Sequence, residues 1–302
     1  MNKDIVLECK DLCHWFGTNK VLHNVNLKIY RGSILSIVGP SGCGKSTLLR
    51  AIVGTHPARK GEVRVSTGGG VLRKIVEPGR DRGIVYQRYS LFPFLTAREN
   101  VAIGPMLDQT SIPFRIFQFP TWWKMKKKNL EEAQNLLEKV GLGNSGDLYP
   151  TEMSGGMQQR VAIAQALIMK PEILLLDEPF GALDESTRES LQRILLNLYK
   201  ENTNAKNKGE KPPYTILIVT HELNEAIFVG DRVIGLSQFW NWKKSGIDVK
   251  PGATIVYDDN APIFSPETER EFSQFNEQKE NIRISAMTAE NLQAPELFIK
   301  FK

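Results

Sequence analysis

The hydrophobic positions of the chain fall into short, nearly continuous apolar runs that alternate with longer amphipathic segments. Three of these runs, Ile34–Val38, Ile173–Leu176 and Ile216–Val219, are four or five residues long. Runs of this length between turn residues are typical of strands that are buried on both faces of a sheet. Helix-like runs, Leu48–Val53 and Val161–Leu167, follow two glycine-containing stretches. The pattern therefore predicts an α/β fold with a covered central sheet.

Two regions depart from this pattern. Ile5–Cys9 and Val25–Ile29 alternate between apolar and polar residues, which predicts short strands around a turn. After residue 91 the period becomes helical, and Asn129–Val140 places its apolar residues on one face of a helix that ends at Gly141. We therefore predict a core at residues 4–90 and 152–240, an inserted helical subdomain at 91–151, and a C-terminal extension of unknown role at 241–302.

Composition limits the class of protein. The chain has 302 residues, of which 41% are hydrophobic, so it can bury a sizeable core. No stretch approaches the roughly 18 consecutive apolar residues of a membrane span, and the first residues lack a secretory signal, so we expect a cytoplasmic protein. Three cysteines indicate reduced thiols rather than a disulfide scaffold. The net charge of +5 suits nucleotide, nucleic acid or an anionic membrane surface and does not separate them.

A glycine-rich stretch after the first buried run has the spacing G-x-x-x-x-G-K-[ST] of a phosphate-binding loop. Glycines let backbone N–H groups turn towards a polyphosphate, and the helix that follows contributes its positive end. We predict that Lys45 reaches the β- and γ-phosphates and that the Ser46 hydroxyl binds Mg²⁺. Cys43 lies in this electropositive setting, which predicts a lowered thiol pKa. The residues predicted to bind nucleotide are Gly39, Pro40, Ser41, Gly42, Cys43, Gly44, Lys45, Ser46 and Thr47.

Polar side chains stand at the carboxyl ends of three predicted strands, the edge at which open α/β sheets bind their ligands. Asp177 and Glu178 follow one strand, and we predict that Asp177 holds Mg²⁺ while Glu178 acts as the general base. Gln87 ends a second strand and would contact Mg²⁺ or the attacking water. His221 follows a third strand and would donate to the γ-phosphate, although a single histidine is often structural. Lys45 completes the predicted catalytic set.

A second anion site is indicated by Ser154–Arg160, which leads into an alanine- and leucine-rich helix. Ser154 occupies the N-cap position, so its hydroxyl and the backbone amides of Gly155 and Gly156 would bind an anion at the positive end of the helix. The alternative is a capped helix start without a ligand. Phe16, upstream of the phosphate loop, also has two interpretations, because it would either stack on a purine ring or pack in the core.

The segment Thr121–Lys128 combines two tryptophans with four lysines, directly after the phenylalanine-rich stretch Pro113–Pro120. Aromatic and basic residues together suit a lipid headgroup layer. The alternative interpretation is a solvated charge run that precedes a helix.

Taken together, the motifs occur in the order and spacing of an ABC-transporter ATPase subunit. The resemblance covers roughly residues 4–236 and depends on the phosphate loop, Gln87, Ser154–Gln158, Leu175–Pro179, Ala182–Asp184 and His221. It implies an α/β fold with a RecA-like P-loop NTPase core, a small antiparallel β subdomain and an inserted α-helical subdomain. It also implies ATP and Mg²⁺ as cofactors, and ATP hydrolysis coupled to transmembrane transport.

The resemblance further implies a head-to-tail homodimer in the ATP-bound state. Ser154 and Gly156 would contact the γ-phosphate held by the other copy, and Gly155 and Asp184 are carried over with them as nucleotide-binding residues. Phe16 would take the adenine-stacking role. The surface Leu91–Glu99 would meet the coupling helix of an integral-membrane permease, which places the protein at the cytoplasmic face of the membrane.

Within the family, Pro78–Gln87 and Leu91–Thr96 resemble importers of nitrate, sulfonate, taurine and bicarbonate. This branch implies a separate permease, a solute-binding protein in the complete system, and no nucleic acid. Alternatives are an exporter of lipids or lipoproteins and a soluble ABC protein without a transport role. The segments Pro105–Lys128 and Phe239–Pro251 are longer than is usual in this branch, so the cargo is left open. Near the C-terminus, Pro266–Asn281 is predicted to form an amphipathic helix.

Overall fold

A six-stranded sheet lies at the centre of the molecule. The computed structural model describes residues 4–68, 70–88, 90–181, 183–247, 249–267, 275–290 and 292–301. The strands of this sheet are β3 (Ile34–Val38), β6 (Arg82–Val85), β7 (Ile173–Asp177), β8 (Ile216–Val219), β9 (Arg232–Ser237) and β10 (Thr254–Asn260). They follow the order β10-β9-β3-β8-β7-β6, and all pairs are parallel except that of β9 with β10. The carboxyl ends of the five parallel strands therefore meet at one edge.

Helices cover both faces of this sheet, as the apolar runs predict. Helix α1 (Lys45–Val53) lies on one face, and helices α5 (Gly155–Leu167), α6 (Glu185–Asn207), α7 (Leu223–Val229) and α8 (Asn276–Ile282) lie on the other. Successive residues of a strand point to opposite faces, so Ile216 and Ile218 of β8 join one core while Leu217 and Val219 join the other. The predicted α/β fold class is confirmed.

A second sheet packs beside the first over α1. Its strands are β1 (Ile5–Phe16), β2 (Asn19–Tyr30), β4 (Lys60–Ser66) and β5 (Leu72–Lys74), in the antiparallel order β2-β1-β4-β5. β1 and β2 are twelve residues each, longer than the short strands that the alternation predicts. The two sheets are joined where the His23 N–H donates to the Ala253 carbonyl at 2.8 Å and the Ala253 N–H donates to Val21 at 2.9 Å.

Between β6 and α5 the described chain forms three further helices: α2 (Ala97–Gln109), α3 (Ile112–Phe117) and α4 (Phe119–Lys139). Thr96 begins α2 with a capping box, in which its side chain accepts from the Glu99 N–H and the Glu99 carboxylate accepts from the Thr96 N–H. α4 begins ten residues before the predicted start at Asn129. Pro120 lies in its first turn, where the missing N–H costs no helical hydrogen bond. The lysine run is therefore part of the helix and does not precede it.

The region after α6 also differs from the prediction. α6 continues to Asn207, well beyond the apolar residues of its first half, so the polar stretch 201–207 is helical. β10 pairs with β9, and the six-stranded sheet therefore extends beyond the predicted boundary at residue 240. Within the predicted helix Pro266–Asn281, the structure shows α8 from Asn276, and residues 268–274 lie outside the described residues.

The end of the described chain packs back on this edge of the sheet. The Ile299 N–H donates to the Val256 carbonyl at 3.2 Å, and the Phe301 ring lies 3.8 Å from the Arg232 guanidinium carbon. No helix among the residues that the structure describes is long and apolar enough to cross a membrane.

Candidate nucleotide-binding site

The glycine-rich loop connects β3 to the start of α1 at the carboxyl edge of the sheet. Gly44 caps α1 with a φ of 104°, a backbone conformation that side chains disfavour. A Cβ at Gly39 would lie 2.2 Å from the Leu236 carbonyl oxygen of β9, so the loop can approach the sheet only without a side chain there. Pro40 is half-buried, and Ser41 and Gly42 are exposed. The loop is thus open on the side away from the sheet.

Lys45 lies inside this loop. Its Nζ donates to the carbonyl oxygens of Gly39 at 2.7 Å and Pro40 at 3.1 Å, and the residue is only 6% exposed. Ser46 is exposed in the first turn of α1, and Thr47 follows half-buried. The first turn of α1 carries no acidic residue, so its N–H groups and dipole favour an anion.

Cys43 does not have the lowered thiol pKa that the sequence predicts. The side chain is 2% exposed, and burial raises its pKa because the thiolate would lose its hydration. The charge of Lys45 and backbone hydrogen bonds oppose this effect without overcoming it. The prediction of a lowered thiol pKa was wrong because the loop turns the sulfur inwards, towards Gly39.

Two carboxylates stand at the end of β7. Burial, followed by the neighbouring charge of Glu178, raises the pKa of Asp177, while Arg50 and Lys45 lower it. Glu178 has a φ of 47°, rare for a residue with a side chain, and its N–H donates to Val219 of β8 at 2.8 Å.

Glu178, His221 and Gln87 come together at this edge. Glu178 Oε2 lies 3.3 Å from His221 Nδ1, and His221 Nε2 lies 3.7 Å from the carboxylate of Glu222. A Cβ placed on Gly181 would be 3.7 Å from Glu178 Oε2 and 3.8 Å from Gln87 Nε2. The residues that follow β6, β7 and β8 therefore lie at one edge of the sheet, with Gly181 between Gln87 and Glu178.

The stretch from Ser154 forms the other predicted anion site. Ser154 caps α5, and its hydroxyl accepts from the Met157 N–H at 3.3 Å. Ser154 and Gly155 are exposed, whereas Gly156 is buried against Thr187 of α6. A Cβ at Gly156 would lie 1.9 Å from Thr187 Cγ2, so only glycine fits this contact.

The segment after β7 holds this stretch in place. Gln159 of α5 donates from Nε2 to the Pro179 carbonyl. Asp184 caps α6 and accepts from the Thr187 N–H and hydroxyl, both at 2.9 Å, and these bonds hold its pKa below the usual range. Ala182, which belongs to the same predicted motif, lies outside the described residues.

The two predicted anion sites therefore rest on different elements. The phosphate loop packs against β9 and, through Gly44, against Val21 and Leu22 of β2. The start of α5 packs against the segment that leads into α6. Phe16 is 44% exposed, with its ring centroid 4.7 Å from that of His14, so it does not pack in the core.

The predicted partner surface Leu91–Glu99 is a tight loop that leads into α2. Buried Asn100 fixes it, because its side chain accepts from the Phe92 N–H at 2.8 Å and donates to the carbonyls of Phe92, Leu95 and Thr96. As a result Phe92 and Phe94 project outwards, and Phe94 is 71% exposed.

Sequence reasoning missed one buried charged group beside the site. Glu225 of α7 is 6% exposed, its Oε1 lies 3.2 Å from Arg188 Nε, and its Oε2 accepts from the Thr220 hydroxyl at 3.4 Å. Arg188 also donates to the Leu183 carbonyl at 3.3 Å, so this cluster joins the start of α6 to the residue before His221. The only signal in the sequence is that Glu225 follows His221 by one helical turn.

Comparison with known proteins identifies the family. The family model described as ABC transporter matches residues 22–181, which is more than half of the chain. The chain belongs to the ABC transporter family. A nitrate import ATP-binding protein from Synechocystis is 39% identical over 235 residues, covering 76% of this chain and 77% of the relative. An aliphatic sulfonates import ATP-binding protein from Bacillus subtilis is 40% identical over 215 residues, covering 71% and 72%.

A solved structure agrees with this assignment. A dimeric ATP-binding cassette, described in a post-hydrolysis state with ADP and Pi, has a TM-score of 0.61 and 29% identity, and covers 85% of this chain and 100% of the other. The RecA-like fold and the likeness to the importer branch are thereby confirmed. The chain is an ATPase of an ABC transporter, with ATP and Mg²⁺ as its cofactors.

The residues present fit these cofactors. The loop leaves open space at Gly42, the Lys45 ammonium is aimed into the loop, and the first turn of α1 is free of acidic residues. A serine hydroxyl and a carboxylate, those of Ser46 and Asp177, are oxygen ligands of the kind that Mg²⁺ prefers.

Proposed function

We propose that this chain is the ATP-hydrolysing subunit that powers solute import through a separate membrane permease, of the nitrate and sulfonate type. The observation that carries the proposal is the convergence of Glu178, His221 and Gln87 at the strand edge that also holds the phosphate loop. The named relatives, which import nitrate and aliphatic sulfonates, support the direction of transport and the class of solute.

In this proposal each residue has a distinct task. Lys45 and the loop amides bind the phosphates, while Ser46 and Asp177, with Gln87, would hold Mg²⁺, which neutralises phosphate charge when bound. Glu178 accepts the proton of the attacking water as general base. His221 orients the Glu178 carboxylate through the 3.3 Å contact and donates towards the γ-phosphate.

A second copy of the chain would complete the site. Ser154, Gly155 and Gly156 lie at the positive end of α5, and the first two of them are exposed. We infer that they and Asp184 face the phosphate loop of the other copy in an ATP-bound homodimer, with Phe16 stacking on adenine. The dimeric cassette with 29% identity supports this arrangement.

The membrane permease would dock on Leu91–Glu99. Outward-facing Phe92 and Phe94 offer an apolar contact, and Asn100 holds their loop in one conformation, so little ordering is needed on binding. The protein would then be held at the cytoplasmic face of the membrane, with a solute-binding protein supplying cargo on the other side.

The proposal is tested by measuring ATP turnover in the variant Glu178→Gln. The matched control is Glu222→Gln, because Glu222 lies near the other ring nitrogen of His221. Loss of the general base should lower ATP turnover by on the order of 10² to 10⁴-fold, while ATP binding persists and a dimer accumulates. The control should keep its turnover. Wild-type turnover in Glu178→Gln would show that another group acts as the base.

A further inference from the structure

The apolar stripe of α4 continues beyond the folded body. In the second half of the helix, Ala133 and Leu137 are buried against α2 and α5. At the same helical spacing, Phe119, Trp122 and Trp123 occupy this stripe in the first half. None of the first ten residues of α4 is buried, although all of them are described. About 15 Å of helix therefore carries an apolar stripe that the described residues cover only in part.

Aromatic rings dominate the uncovered part. Phe117 at the end of α3 is 83% exposed, and Phe119 and Trp123 are 55% and 56% exposed. The ring centroid of Phe119 lies 5.6 Å from that of Trp122 and 6.2 Å from that of Trp123, so the rings form one cluster. Exposed aromatic residues in contact with one another form a patch, which in a folded protein marks an interaction surface.

The charges around this cluster have a single sign. Lys126 lies 5.6 Å above the Trp122 ring and 5.8 Å above the Trp123 ring, and Lys124, Lys127 and Lys128 are exposed beside it. Between Asp108 and Glu131 the sequence contains no acidic residue. We call Phe117, Phe119, Trp122, Trp123, Lys124, Lys126, Lys127 and Lys128 the aromatic–lysine surface.

We propose that the aromatic–lysine surface binds directly to an anionic lipid bilayer. Tryptophan rings are enriched at the headgroup level, where one part of the ring is apolar and the other reaches water. Lysines with long side chains reach lipid phosphates from the same helix, and each adds to binding at an anionic surface. The contact is separate from the permease surface at Leu91–Glu99 and does not depend on the solute.

The composition favours lipid over a protein groove as the occupant. A protein groove presents a fixed pattern of pockets and charges, and a helix that docks there matches it with anchors and charges at defined positions. This surface has rings at its centre, lysines around them and no carboxylate. That combination matches a fluid layer of uniform negative charge.

The experiment is co-sedimentation of the full-length protein with vesicles of phosphatidylcholine alone or with one quarter phosphatidylglycerol. We expect binding to the anionic vesicles only. A variant with Lys124, Lys126, Lys127 and Lys128 changed to Gln should bind on the order of 600-fold more weakly, since each of the four lysines contributes about fivefold. Raising salt from about 0.1 M to about 1 M shortens the screening length from about 10 to about 3 Å and should release the protein.

Two further variants complete the design. Trp122→Ala with Trp123→Ala should weaken anionic binding and abolish the blue shift of tryptophan fluorescence on vesicles. Lys243→Gln with Lys244→Gln changes a similar tryptophan–lysine sequence in which Trp242 is half-buried, and it should bind as wild type. All variants should keep the ATPase activity of the protein in solution, because none alters the nucleotide site.

Three results would overturn the proposal. These are equal binding to neutral and anionic vesicles, unchanged binding of the four-lysine variant, and no binding to either kind of lipid vesicle when native membranes that contain permeases do bind the protein. The last result would assign the surface to a protein partner instead.

Discussion

Glu225 offers a prediction that can be worked out quantitatively. Burial raises the pKa of this carboxyl from its usual value of 4.5 to about 7, and the neighbouring charge of Glu222 adds to the effect. The Arg188 guanidinium and the hydrogen bond from Thr220 oppose it, and burial prevails. The perturbation we consider is Glu225→Gln, which keeps the shape and polarity of the protonated acid but cannot ionise.

Proton linkage decides whether the free energy of unfolding rises or falls with pH. Between pH 4.5 and about 7 the folded state holds the proton of Glu225 while the unfolded state has released it. The free energy of unfolding therefore falls as the pH rises through this window. A pKa difference of this size corresponds to about 3 kcal/mol, because each unit is worth about 1.4 kcal/mol. The glutamine of Glu225→Gln cannot ionise, so the variant does not lose stability in this way. Its free energy of unfolding should therefore exceed that of wild type by up to about 3 kcal/mol as the pH rises from 4.5 to 8.

The assay is urea unfolding of both proteins at several values between pH 5 and 8. Burial also raises the pKa of Asp231, to about 6, so the wild-type curve contains more than one such group. The difference between wild type and Glu225→Gln isolates one of them. Glu210→Gln, at an exposed carboxylate, controls for the loss of a single acidic side chain.

A difference that stays constant with pH would refute the reasoning. So would a variant that becomes less stable than wild type as the pH rises. Either result would mean that the ion pair with Arg188 outweighs burial, and that Glu225 is ionised across the whole range.

Two further predictions concern packing and ion pairing. Gly156→Ala would force a Cβ into Thr187 and should lower the free energy of unfolding, measured with urea, by about 1 to 3 kcal/mol. The same variant should have a lower ATP turnover. Adding Thr187→Ser removes the clashing methyl group and should restore most of both, whereas no recovery would contradict the steric explanation. Asp258→Asn should cost about 3 kcal/mol in the same assay, because buried Arg232 would lose the carboxylate that it contacts at 2.7 and 2.6 Å. Asp259→Asn, at an exposed position, is the control and should unfold as wild type.

The features that could be predicted from the sequence are those fixed by residues that lie close together in the chain. The phosphate loop needs glycines and Lys45 at fixed spacing between a strand and a helix, and all of these are adjacent in the chain. Asp177 and His221 were recognised because short apolar runs locate the ends of buried strands. The family resemblance then predicted the inserted helical subdomain and the second, antiparallel sheet.

Other features depend on contacts that the sequence does not display. The start of α4 was predicted too late because Pro120 and the lysine run look like a break, whereas the first turn of a helix tolerates both proline and exposed charge. β10 follows a long connection and is defined only by its pairing with β9. The thiol pKa of Cys43 depends on burial, which local charge does not reveal.

Within one chain, a continuous series of contacts joins the start of α5 to the strand end that carries His221. Gly156 packs on Thr187 of α6, and one turn of that helix also contains Arg188, which contacts Glu225 at 3.2 Å. The Thr220 hydroxyl donates to Glu225 and accepts from the Glu222 N–H at 3.1 Å. Thr220 and Glu222 are the two residues that flank His221 in sequence.

This series has a consequence for the proposed dimer. The start of α5 would face the phosphate loop of the other copy and complete the ATP site there. In its own chain, the start of α5 packs on α6, which contacts the residues around His221 of this chain's own site. The links between them are the packing of Gly156 on Thr187 and the contact of neighbouring Arg188 with Glu225, so the two regions of one chain are joined through the first turn of α6. Glu225 joins the beginning of α6 to the end of β8, because it contacts Arg188 on one side and Thr220 on the other. In the proposed dimer it would therefore connect the part of the chain that faces the other copy to the part that carries His221.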